Sequence, residues 1–209
     1  MTLSAVPTVT AMHIAEIRRF PGKSLLGGPV AVADVEHRGL IEDRLWAVRD
    51  VDGKLGSGKS TRRFRRMDGL LALRGHHADP VPLVELPDGR TFAADDPAGH
   101  VAVSRVLNRQ VTIHREAEVM HHDEGPVSLI TTAGLRALGA LSTVVDAARF
   151  RANLLIDVAG DGFAEDDWLG RELRVGDDVA LRPCRLLTRC AVIDMAQGGC
   201  PGTTAFSRP

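Results

Sequence analysis

Cys190 has the widest chemical reach of any residue in this 209-residue chain. Its thiolate is a soft ligand that suits a soft or borderline metal, and only the deprotonated form coordinates. Arg185 and Arg189 stand close in sequence and would lower its pKa if their guanidinium groups face it. The plain alternative is a buried, inert thiol. Thr188, two positions earlier, could set a hydroxyl beside the sulfur. Arg151 and Asn153 are also two apart, and on a strand residues i and i+2 face the same way, so both could reach one ligand. Lys23-Ser24 combines a compact ammonium with a hydroxyl donor, a pair suited to a phosphate oxygen or simply to an exposed turn. Arg44 can present two parallel donors to a phosphate, or pair with Glu42 or Asp43 beside it. Thr131 and Thr132 are further hydroxyl candidates, although capping a helix explains at least one of them.

Two other groups have plainer readings. Lys59, Arg62, Arg63, Arg65 and Arg66 crowd one stretch with no acid among them, which is either a solvated loop or a local anion site. His121 and His122 are adjacent, so on a strand they point to opposite faces and do not share a metal unless the loop bends. Cys184 and Cys200 complete an odd set of three cysteines with no C-x-x-C pair, which fits neither a disulfide framework nor a structural zinc site. If the stretch from Cys184 to Cys190 were one unbroken strand, the two thiols would share a face. Free thiols suit a reducing, cytoplasmic setting.

The elements that must position these side chains are mostly strands. Residues 14–20, 29–40, 45–51 and 81–87 alternate or cluster β-formers, and Asp52-Gly53 and Asp88-Gly89 mark hairpin turns. Asp95-Asp96-Pro97 predicts a helix cap with proline in the first turn, running to about Leu107. A strand over 111–117 follows, then a strand ending at Thr131-Thr132 and a helix with Leu135, Leu138 and Leu141 on one face. Residues 149–158 predict a buried strand, and residues 168–183 a hairpin turning at Gly176-Asp177. The last ten residues read as irregular.

This pattern predicts a mostly β protein with a few helices (α+β), built as two associated barrel-like halves, residues 11–110 and 111–209. Lys plus Arg number 26 against 27 Asp plus Glu, which argues against a general nucleic-acid binder. No stretch approaches the ~18 apolar residues of a spanning helix, so no membrane partner is expected. The first residues lack the basic start and apolar run of a secretory signal.

Taken together, five blocks resemble the MOSC family, named for the C-terminal domain of molybdenum cofactor sulfurase, with its accompanying N-terminal β-barrel domain. Residues 18–53 carry Phe-Pro-x-Lys-Ser, then Gly-Leu-x-x-Asp-Arg-x-Trp, then Asp-x-Asp-Gly. Residues 126–138, 149–157, 163–177 and Thr188-Arg189-Cys190 follow in family order. The resemblance implies a molybdenum cofactor (molybdopterin) with Cys190 as metal ligand and catalytic residue. It implies that Lys23, Ser24, Arg44, Thr132, Arg151, Asn153 and Thr188 hold the pterin and phosphate. The implied activity is two-electron reduction of a small N-oxygenated substrate. With no [2Fe–2S] cysteine pattern, electrons would come from a separate protein. A sulfur carrier holding a Cys190 persulfide, and a non-catalytic delivery module, are the alternatives. The chain departs from the family where Ala152 stands for the usual proline, and where Ala-Val-Ile-Asp follows Cys190 in place of a Thr-Thr pair.

Overall fold

The computed structural model describes residues 12–139, 145–188 and 191–203. Short strands dominate, with three α-helices among the described residues and sheets that curl partly into a half-barrel. The molecule is thus mostly β with a few helices, as the patterning predicts.

The first strand, β1 (His13–Arg19), runs where the apolar alternation places it. Pro21 then turns the chain into the two-residue β2 (Gly22–Lys23). The stretch expected as one strand over 29–40 is broken into β3 (Gly28–Val30), β4 (Val35–Glu36) and β5 (Gly39–Leu40). The central strand β6 (Trp46–Asp50) leads through a turn at Gly53, whose φ of 75° suits glycine, to β7 (Leu55–Ser57) and β8 (Phe64–Arg66). A small meander follows: β9 (Arg74–His76), β10 (Leu83–Glu85) and β11 (Thr91–Ala93). Helix α1 (Pro97–Val106) begins as expected, with the Asp96 carboxylate accepting from the Ala98 N–H at 2.8 Å and Pro97 in its first turn.

Strand β12 (Val111–Arg115) returns to β6 in an antiparallel ladder, Ile113 opposite Val48. Then come β13 (Leu129–Thr131), α2 (Thr132–Gly139), the one-turn α3 (Ala147–Phe150) and β14 (Leu154–Asp157). Thr131 caps α2 by accepting from the Gly134 N–H at 2.9 Å. In α2, Leu138 is buried and Leu135 half-buried; Leu141 lies outside the described residues. The expected hairpin turns at Gly176 between β15 (Leu173–Val175) and β16 (Val179–Leu181). Part of the tail expected to be irregular, residues 204–209, also lies outside the described residues.

Strands from both sides of residue 110 share sheets. One sheet has the order β13-β14-β1-β3, so the first strand of the chain sits between a late strand and β3. The other has the order β12-β6-β7-β8, with β2 paired in parallel to β6.

The side-chain alternation of β6 determines what each of its faces does. Trp46 and Val48 point into the main core with Val84, Val103 and Ile113. Ala47, between them, faces the other way and packs with Leu55 and Phe64 in a second cluster. Lys23 of β2 is the register partner of Ala47. One strand therefore holds up the core with one face and sets Phe64 beside a lysine with the other.

Candidate functional site

Lys23 is buried, although burying an ammonium without an acceptor is costly. Its Nζ lies 4.7 Å from the centre of the Phe64 ring and has no hydrogen-bond or ion-pair partner among the described residues. Burial drives its pKa down from the ordinary 10.5 to about 8, opposed by the Asp123 carboxylate and reinforced by the positive charges of Arg44, Arg151 and Arg63. Ser24 follows in a left-handed turn at φ 62°.

Arg44 is the hub of the second half of the site. It too is left-handed, at φ 52°, and its N–H donates to the Phe20 carbonyl at 2.6 Å. Asp43, fully buried beside it, accepts from the Phe20 N–H at 2.8 Å and forms an ion pair with the Arg44 guanidinium. The guanidinium also donates to Asn153 Oδ1 at 3.2 Å and to the Arg151 carbonyl at 2.8 Å.

Arg151 closes the cluster. Residues 149–150 were expected within a strand but form the end of α3, and Arg151 is its left-handed C-cap at φ 53°. The strand begins only at Leu154. The shared strand face expected for Arg151 and Asn153 therefore does not exist. The two residues still meet, because Arg44 reaches both from another loop. Arg44 and Arg151 both stand over the Phe20 ring, at 4.8 and 4.4 Å. One Arg151 nitrogen donates to the Leu25 carbonyl, whereas Nη2 is enclosed without an acceptor among the described residues. Burial first and the neighbouring Arg44 second lower the Arg151 pKa to about 9, with Asp43 opposing. Three of the expected site residues thus sit at left-handed backbone, which costs of order 1 kcal/mol each and clusters where the surroundings enforce a particular geometry.

Asn153 is almost wholly buried and has its side chain fully engaged. Its Oδ1 accepts from Arg44, from the Ser128 N–H at 3.2 Å and from the Ser128 hydroxyl at 3.1 Å, and its Nδ2 donates to the Arg18 carbonyl at 3.2 Å. It ties the β13-β14-β1 sheet to Arg44.

The remaining candidates stand differently. Thr132 commits its hydroxyl to Asp157 at 2.8 Å and to the Val158 carbonyl and N–H, so it joins α2 to the end of β14 rather than the cationic cluster. Thr188 is exposed in an irregular stretch after β16, and the strand that would have aligned Cys184 with Cys190 is absent there. Cys184 is exposed, and Arg185 pairs with Glu124. Cys190 and Arg189 lie outside the described residues. Just beyond them, Val192 packs so closely on Gly58 that a Cβ there would lie 2.3 Å from its Cγ2. Gly58 adjoins Lys59, whose Nζ is 5.3 Å from the Phe64 centre.

The basic run divides by function of place. Arg65 pairs with Asp50 and Asp52, and Arg66 with Asp68. Lys59 and Arg63 turn to Phe64, and Lys59 forms an ion pair with Asp123 at 2.9 Å. His121 is fully buried, and its Nε2 accepts from the Arg49 guanidinium at 3.3 Å. No cluster of three or more metal-ligating side chains occurs among the described residues. Sequence reasoning missed Phe20, Phe64 and Asn153's partner Ser128. Phe20 lay within the Phe-Pro-x-Lys-Ser block and was readable as a platform; the other two depend on long-range pairing.

Comparison with known proteins finds no matching family model and no matching curated protein. Among the described residues no helix is long and apolar enough to cross a membrane.

Proposed function

We propose that the chain binds a phosphorylated pterin molybdenum cofactor and uses it to reduce a small N-oxygenated substrate, with electrons supplied by a separate protein. The observation that carries this is the convergence of Lys23, Arg44 and Arg151 with too few acceptors. Among the described residues Lys23 Nζ and Arg151 Nη2 have no hydrogen-bond partner, and the enclosed carboxylate of Asp43 is already taken up by Arg44 and the Phe20 N–H. Partly buried cations without acceptors favour an anion between them. A phosphate with adjoining pterin oxygens has the right charge and donor demand, so the group fits these residues.

Lys23, Arg44 and Arg151 would hold the phosphate and pterin oxygens, with the Ser24 hydroxyl beside them. Asn153 would act as a positioning residue, fixing the Arg44 guanidinium through Oδ1. Cys190 would supply the thiolate to the metal, a donor matched in softness. Val192, two positions later in the chain, is seated on Gly58 beside the Lys59–Phe64 contact. When bound, the cofactor supplies two-electron oxygen-atom chemistry. The resemblance to the MOSC family supports the same assignment, and a reducing cytoplasmic compartment would suit the thiolate.

The test is metal and pterin analysis of protein expressed where the cofactor is made. Stoichiometric molybdenum that disappears in Arg44→Met supports the proposal. A sulfur carrier would instead show a reducible sulfur adduct on Cys190 by intact mass, without metal.

A further inference from the structure

Phe64 carries more cationic charge than its surroundings neutralise. Its ring is buried, and three cations stand over it: Lys23 at 4.7 Å, Arg63 at 5.1 Å and Lys59 at 5.3 Å. The Asp123 carboxylate reaches this group through its ion pair with Lys59. Among the described residues Arg63 Nε and Nη2 are enclosed and without acceptors, and its neighbours Arg65 and Arg66 have taken the acids of this stretch. An aromatic face stabilises a cation but offers no lone pair to its N–H groups. The demand that remains is for an oxyanion.

We infer that Arg63, on the Phe64 platform beside Lys23 and Lys59, forms a second anion subsite that selects substrates bearing a carboxylate or comparable oxyanion. This rests on the proposed function for the reaction itself and adds the substrate class. The cofactor's phosphate falls to Arg44 and Arg151 over Phe20, and the substrate's anion to Arg63 over Phe64. Lys23, over Phe64 and within electrostatic reach of Arg44 and Arg151, joins the two. Asp123 competes for Lys59 when no substrate anion is present.

Equilibrium binding of a carboxylated aromatic amidoxime and of its neutral parent, by calorimetry, tests this in wild type, Arg63→Met and Asp123→Asn. Wild type is expected to prefer the carboxylated compound by about ten- to a hundredfold, the range of one charge-assisted hydrogen bond. Arg63→Met should bind both equally and keep its molybdenum, and Asp123→Asn should widen the preference. An equal affinity in wild type, or a preference that survives Arg63→Met, would overturn the inference. So would loss of molybdenum in Arg63→Met, which would place Arg63 with the cofactor. Protein that carries no molybdenum at all contradicts the proposed function, yet the binding preference still reads the Arg63 subsite independently.

Discussion

Arg44 donates to the backbone carbonyl of Arg151 at 2.8 Å, so two cations 107 residues apart are held side by side over one phenylalanine. Like charges do not gather this way without a reason, since each raises the cost of the other's charge. Asp43 and Asn153 supply part of it by fixing Arg44; under the proposed function, an anion supplies the rest.

Arg44→Lys is the sharpest probe of that arrangement. A lysine keeps the charge but cannot reach Asp43, Asn153 Oδ1 and the Arg151 carbonyl together. The buried Asp43 carboxylate would lose its best partner, and stability should fall by about 2–4 kcal/mol, as when a buried ion pair is broken. Urea denaturation measures this; a change within error would mean the pair is effectively solvated.

Asn153→Ala removes an acceptor shared by Arg44 and Ser128 and a donor to Arg18. Each buried group left unpaired costs roughly 1–3 kcal/mol. Asn153→Ala is therefore expected to lose stability and also cofactor occupancy, because Arg44 is released. A variant that is destabilised yet fully loaded with metal would limit Asn153 to a structural role.

Lys23 offers a test in the opposite direction. Its folded pKa is near 8 against an ordinary 10.5, chiefly through burial. Below pH 8 the amine is charged in both folded and unfolded chains, and the burial cost is present in full. Between pH 8 and 10.5 the unfolded chain binds more protons, so stability gains from this residue as pH rises. Lys23→Met should be more stable than wild type at neutral pH, with the gap closing above pH 8, while cofactor binding is lost. Parallel stability profiles for the two proteins across that range would contradict this.

His121 titrates with the same sign, in a window at acid pH. Burial lowers its pKa from 6.5 to about 4, opposed by Glu116 and helped by Arg49. The folded imidazole stays neutral while the unfolded one protonates, so its contribution is present above pH 6.5 and lost as pH falls toward 4. The loss is on the order of 3 kcal/mol at one unit per 1.36 kcal/mol. His121→Gln should flatten the stability profile between pH 6.5 and 4, and chemical denaturation across that window would reveal an unchanged slope if it does not.

Much of the fold was legible because local patterns agreed with local structure. The Asp96-Pro97 cap, the Gly53 turn and the alternation of Val111 and Ile113 in β12 all depend on neighbours in sequence. The pairing of β1 with β14, and of Lys23 with Ala47, depends on partners far along the chain, and no periodicity encodes it. The site divides the same way. Lys23, Arg44, Arg151 and Asn153 were recognisable as residue types in a pattern, but the stated geometry for Arg151 and Asn153 was a strand, and the structure has a helix end there. The left-handed Arg151 is what turns its carbonyl to Arg44, and that conformation has no signature in an Arg-Ala-Asn sequence. Thr132 illustrates the reverse: a hydroxyl at a helix start finds a local backbone and carboxylate before any ligand.

The most direct measurement is the molybdenum and pterin content of the purified protein beside Arg44→Met and Cys190→Ala, each checked for folding by circular dichroism. Near-stoichiometric metal and pterin in wild type, and loss of bound metal in both folded variants, is the expected result. Folded wild-type protein free of molybdenum and pterin, from a host that makes the cofactor, would contradict the assignment of this cationic cluster.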